Sequence, residues 1–171
     1  MPARPNLAAI AGLGSISFSD SVYRVVPGAL RDKILSTEGN RYYPGRYHAA
    51  GETGILYTSL ERDLAIRELG RHAARADLQG GLAAGKIKVK LQKVLDLTQA
   101  VVLAKLGLSK EALISPDCSL TQAVSHQARK AGFQGLLVPS AAGSGVNLVV
   151  FVNNLAEGCL IEVDAVGPVG E

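Results

Sequence analysis

Apolar and polar positions alternate most cleanly in Lys86-Ile87-Lys88-Val89-Lys90-Leu91, where every second residue is a lysine. A period of two gives that run one dry face and one lysine-lined face, which predicts a strand with a solvated, aggregation-resistant edge. Further strands are predicted at residues 21–26, stopped by Pro27-Gly28, and at Gly54-Ile55-Leu56-Tyr57. Gly135-Leu136-Leu137-Val138 reads as a buried strand, residues 147–152 form the most hydrophobic strand, and residues 159–163 suit an edge. Helical spacing is found elsewhere. A short helix is predicted through Leu30, Ile34 and Leu35. Thr58 and Glu61 fit a capping box that opens a second helix, with Leu60, Leu64, Ala65, Leu69 and Ala73 near one side and an end at about Arg75. Thr98 is placed to cap a helix that Gly107 ends, and Ser119 one that Gly132 ends. Short strands with interspersed helices and no regular βαβ period predict a single α+β domain. Its start is set at Ser21, after an N-terminal arm of residues 1–20. In that arm, the apolar run from Leu7 to Leu13 behind Arg4 is read as a helix or loose arm rather than a cleavable leader.

Composition narrows the function. With 171 residues, 47% apolar and 19% charged, the chain can bury a core built from Leu, Val, Ile and Ala, since Phe and Tyr are few and Trp is absent. A net charge of +3 does not argue for duplex nucleic acid and is compatible with a small anionic ligand. Cys118 and Cys159 show no CxxC pairing and read as reduced thiols of a cytoplasmic protein. No apolar run is long enough to span a bilayer. His48, His72 and His126 lack metal-ligand spacing, so no metal site is expected, and His126 is assigned to a helix surface. There is no nucleophile elbow around a serine and no phosphate-binding P-loop, and Gly12-Leu13-Gly14 is only half a dinucleotide fingerprint.

The stretch from residue 41 to 68 carries the candidate chemistry. It sets Arg41, Arg46 and three tyrosines among glycines and a proline, then runs through a short strand into the helix that bears Glu68. Gly45, Gly51 and Gly54 mark a loop whose backbone can come close to a ligand. Glu68 follows Leu64 by four residues and Ala65 by three, so it projects from the inward side of its helix. An inward carboxylate is costly unless paired or used, and an ion pair with Arg24, Arg71 or Arg75 is as good a reading as a catalytic one. Arg24 lies among valines of the first strand. On residues alone a cation reaching the surface at a sheet edge is favoured over one aimed into a cleft.

Taken together, Tyr23-Arg24-Val25, Gly45-Arg46-Tyr47-His48, Leu56-Tyr57-Thr58-Ser59, Ala65-Ile66-Arg67-Glu68 and Val138-Pro139-Ser140 stand in an order that resembles the RES domain family. Asn147-Leu148-Val149 resembles the strand that follows the serine. The resemblance implies an ADP-ribosyltransferase-like fold of mixed sheets with surrounding helices. It also implies cleavage of the nicotinamide–ribose bond of NAD+, by hydrolysis or phosphorolysis, in the toxin half of an Xre–RES toxin–antitoxin pair. Transfer of ADP-ribose to a protein and a non-catalytic binding domain are the alternatives. By resemblance Glu68 is the catalytic carboxylate, Arg24 and Arg46 serve catalysis and bind the phosphates, and Tyr47, Tyr57, Ser140 and Asn147 contact the dinucleotide. NAD+ is then substrate with no further cofactor, and the expected partner is an Xre-type antitoxin, without direct nucleic-acid or membrane binding. Tyr47 stands where the family usually has Trp, which keeps a stacking face. Chemistry agrees with these roles. Positive charge builds on the ribose carbon as the bond breaks, and a nearby carboxylate stabilises it. Arginine forks bind pyrophosphate bidentately, and tyrosine faces hold a pyridinium.

Overall fold

The structure, a computed structural model, describes residues 4–72 and 81–169, and the side chains of residues 70–72 are not described. Strands β1 (Ile16–Pro27), β2 (Ile55–Ser59), β3 (Leu82–Asp96), β4 (Gly135–Pro139), β5 (Val146–Phe151) and β6 (Leu160–Val169) form a six-stranded sheet in the order β1-β2-β5-β4-β3-β6. β1 also pairs with β3, from Ile16↔Val94 to Pro27↔Leu82, so the strand pairings close into a circuit. Only β3 and β4 run parallel; the other pairs are antiparallel. Helices α1 (Arg62–His72), α2 (Ala100–Leu106), α3 (Lys110–Leu113) and α4 (Ser119–Lys130) complete a mixed fold of the expected class.

Strand periodicity sorts the apolar side chains into two cores. Ile55, Leu136, Val138, Val149 and Phe151 pack on one side against Leu103, Leu106, Leu113, Val124 and Ala128 of the helices. The alternate residues Leu56, Leu137, Leu148 and Val150 face the other way, against Val22, Val26, Ile87, Val89 and Leu91 of β1 and β3. β2, β4 and β5 are therefore covered on both faces, which is why their sequences are almost continuously apolar. β3 follows the lysine alternation closely: Lys86, Lys88 and Lys90 are exposed while Ile87, Val89 and Leu91 are buried.

Several boundaries differ from expectation, each for an identifiable reason. β3 is no edge strand, since β1 lies on one side of it and β6 on the other; its lysines mark a wet face instead. Thr58 does not cap α1. It remains in β2, and its hydroxyl donates across the sheet to the Leu148 carbonyl at 2.8 Å, while the helix begins at Arg62. The predicted end of that helix at Arg75 lies outside the described residues. The expected arm is part of the domain: Leu7–Gly12 forms a 3-10 turn, β1 starts at Ile16, and Ile10 is wholly buried in the helical core. The helix stops at Gly107 and Gly132 are as expected, with φ of 65° and 86° that disfavour other residues.

Ile10→Ala should lower unfolding free energy by about 2–5 kcal/mol in urea titration, the usual cost of emptying a closed core site. A shift near zero would mean that the N-terminal segment does not belong to the domain core.

Candidate active site

The ends of β2, β4 and β5 build the floor of the site. Tyr23 of β1 pairs with Ser59 of β2, Ser59 with Asn147 of β5, and Asn147 with Val138 of β4. These residues form one cross-strand row, and residues two apart on a strand share a face. Asn147 therefore shares its face with Val149 and Phe151, and Ser140 with Val138 and Leu136, on the helical-core side. A polar group on that face must find a partner or a use.

Glu68 meets this row from above, on the buried side of α1 near Leu64 and Ala65. Its Oε1 accepts the Ser140 hydroxyl at 2.5 Å and the Asn147 side-chain amide at 2.7 Å. Asn147 is itself oriented by the Ser59 hydroxyl, which donates to its Oδ1 at 2.8 Å. Ser140 accepts the Ala142 backbone N–H at 3.0 Å, which directs its own proton to the carboxylate. Glu68 Oε1 thus takes two neutral donors whose remaining bonds fix their direction.

A second network ties the loop before β2 in place. The Tyr57 hydroxyl accepts the Tyr47 backbone N–H at 3.0 Å and lies 2.6 Å from His48 Nδ1. His48 Nε2 lies 2.7 Å from the Tyr43 carbonyl, which can only accept. In the neutral ring the proton therefore sits on Nε2, and Nδ1 accepts a hydrogen bond from the Tyr57 hydroxyl. Burial pushes the Tyr57 pKa above its ordinary value. Gly45 is required here: a Cβ would lie 2.5 Å from His48 Cε1 and 2.7 Å from Tyr57 Oη. Helix α4 braces the same loop, with Gln122 donating to the Gly45 carbonyl at 2.9 Å and Thr121 to that of Arg46. Further along, Glu52 accepts the Ala49 N–H and meets Arg129 of α4 at 2.6 Å, off the hydrogen-bonding axis. Burial raises the Glu52 pKa, but the Ala49 and Arg129 contacts outweigh it and leave the carboxyl below its usual value.

Between these networks lies a cavity of about 600 Å³ walled by Arg24, Arg46, Tyr47, Tyr57, Glu68 and Asn147. Ser140 reaches it through Glu68. The expectation of an outward Arg24 is overturned: its Nη1 is buried and has no hydrogen-bond partner. Burial lowers its pKa to about 10, against a small opposing effect of Tyr57, so it stays charged at neutral pH. Arg46 differs from expectation in another way. Its Nη1 donates to the Leu113 and Ser115 carbonyls at 3.1 and 2.6 Å, at and just beyond the end of α3. It is a strut as well as a wall residue. Tyr47 is 2% exposed and belongs to the helical core, so its ring is packed rather than offered as an open stacking face. His48, Ser59 and Gln122 were not anticipated. His48 lies within the loop motif and Ser59 ends the Tyr-x-Ser segment, but only the fold brings Gln122 to Gly45.

A family model described as the RES domain matches residues 21–167. "Probable NAD(+) phosphorylase Rv3189" of Mycobacterium tuberculosis is 37% identical over 132 residues, 75% of this chain and 63% of its own length. The chain thus spans under two thirds of that relative. "NAD(+) phosphorylase MbcT" of Mycobacterium bovis is 31% identical over 153 residues, 86% of this chain and 81% of its own. The crystal structure of the M. tuberculosis MbcT-MbcA toxin-antitoxin complex superposes with a TM-score of 0.78 at 28% identity, covering 95% of this chain and 91% of that one.

Tyr57→Phe should cost roughly 1–3 kcal/mol of stability, because it strips the Tyr47 N–H and His48 Nδ1 of their shared partner. Chemical denaturation measures this, and an unchanged midpoint would show that the loop is held without that hydroxyl.

Proposed function

The chain belongs to the RES domain family, and from that premise we propose that it cleaves the nicotinamide–ribose bond of NAD+ by phosphorolysis, as the toxin of a toxin–antitoxin pair. The observation that carries this reading is one carboxylate, Glu68, clamped by Ser140 and Asn147 in a cavity that also holds the unpartnered Arg24. A cavity of about 600 Å³ with a buried cation suits a dinucleotide whose pyrophosphate carries the negative charge. The names of the two relatives support NAD+ as substrate and phosphate as acceptor. The solved complex supports a protein antitoxin as partner, for which the resemblance suggests the Xre type.

In this mechanism Arg24 binds the pyrophosphate, with the cavity-facing remainder of Arg46 beside it. The ring of Tyr57 borders the nicotinamide; its hydroxyl is already committed to the loop. As the glycosidic bond lengthens, its electron pair moves to the pyridinium nitrogen, which leaves neutral and needs no general acid. Positive charge passes to the ribose carbon, where a carboxylate that is already oriented stabilises it without reorganising. Ser140 and Asn147 keep that carboxylate aimed, and Ser59 keeps Asn147 aimed.

Glu68→Gln should slow nicotinamide release by about 100-fold or more, with the melting temperature little changed, since the amide keeps the shape and loses the charge. Chromatography of NAD+, nicotinamide and ADP-ribose 1-phosphate, with and without inorganic phosphate, reads both rate and acceptor. Wild-type turnover retained by the Gln variant would remove Glu68 from the reaction.

A further inference from the structure

Tyr47 combines two properties that packing alone does not explain. Its ring is 2% exposed in the helical core, yet its hydroxyl is buried with no hydrogen-bond partner, and the residue forms part of the cavity wall. A phenylalanine would fill the same core space without leaving a polar atom unsatisfied. Nor is the backbone free to carry the ring elsewhere. Its backbone N–H is held by Tyr57, and the carbonyls of the two residues before it are held by Thr121 and Gln122. Burial pushes the phenol pKa well above its ordinary value, the Arg46 guanidinium pulls the other way, and Tyr57, Cys118 and Glu68 push up again. The hydroxyl is therefore protonated at neutral pH and within electrostatic range of both Arg46 and Glu68.

From this unsatisfied donor beside a cation and the reacting carboxylate, we infer that Tyr47 Oη binds the acceptor, inorganic phosphate, and holds it for attack on the ribose. The inference rests on the phosphorolysis reading above. Tyr47 donates a hydrogen bond to one phosphate oxygen and Arg46 supplies the attraction for its charge. Another oxygen of hydrogen phosphate forms the bond to the ribose carbon as the bond to nicotinamide breaks. The electron pair of the broken bond goes to the nicotinamide nitrogen. The phosphate's own proton stays on the sugar phosphate until it exchanges with solvent, and Tyr47 keeps its proton throughout.

The test is steady-state kinetics of wild type and Tyr47→Phe at saturating NAD+ with inorganic phosphate varied, then the reverse. The expected result is a phosphate KM raised roughly ten- to hundred-fold, as for loss of one hydrogen bond to a charged acceptor, with the NAD+ KM within about twofold and no loss in melting temperature. An unchanged phosphate KM would overturn the inference and leave the hydroxyl a buried defect. A rise confined to the NAD+ KM would overturn it too, assigning the hydroxyl to the dinucleotide. Wild-type nicotinamide release that ignores phosphate would instead remove phosphorolysis itself, a separate and recognisable outcome.

Discussion

The structure turns on orienting one carboxylate on the inward side of a helix. Placing Glu68 on the buried side of α1 costs desolvation, and the compensation is local and directional: a hydroxyl and an amide converge on Oε1. Each donor belongs to a different segment, Ser140 to the end of β4 and Asn147 to the start of β5, so the carboxylate also joins the helix to the sheet. Asn147 leans in turn on Ser59 of β2. Three neighbouring strand ends are thus committed to the orientation of one side chain. Both donors to Oε1 are neutral, and each is fixed by a further bond of its own.

The loop network serves a different need. Residues 40–48 have little regular structure beyond a short 3-10 turn, so their backbone groups must be satisfied by other elements. Asn40 accepts the first N–H of β2, α4 supplies Gln122 and Thr121, and Arg46 spends one nitrogen on the carbonyls near the end of α3. The Tyr43–His48–Tyr57–Tyr47 chain closes the loop on itself. A wall built this way is tied to several elements at once. It also means that truncating Arg46 releases α3 as well as any ligand, so a loss of activity in such a variant would not separate binding from folding.

Local pattern carried much of this. The lysine alternation gave β3 its faces, the glycines at 107 and 132 ended their helices, and the spacing from Leu64 and Ala65 turned Glu68 inward. What local pattern could not carry was anything set by pairing at long range. Arg24 reads as an edge cation because nothing near it in the chain says that β1 closes against both β2 and β3. Thr58 and Glu61 satisfy a capping rule, but a carbonyl 90 residues away competes for the same hydroxyl and wins. The strut role of Arg46 depends on partners 67 and 69 residues distant. The candidate residues were legible as types in an order; their bonds were not.

Arg24 and Glu68 show how the site stays ready. They have opposite charges in one cavity, and a direct pair would remove the cost of burying Arg24. Instead Glu68 is held by Ser140 and Asn147, and Arg24 has no carboxylate partner among the described residues. Among the described residues Arg24 is thus an unpaired cation with a buried Nη1, its pKa lowered to about 10, against the general preference for paired charges. Such a cost persists where a ligand repays it. An anion that reaches Arg24 gains the desolvated guanidinium already in place, and little of its binding energy goes into prising apart an existing ion pair. In the proposed reaction, Arg24 would hold the negative part of the substrate while Glu68 stabilises the positive charge that develops on the ribose, two tasks for two side chains of one cavity.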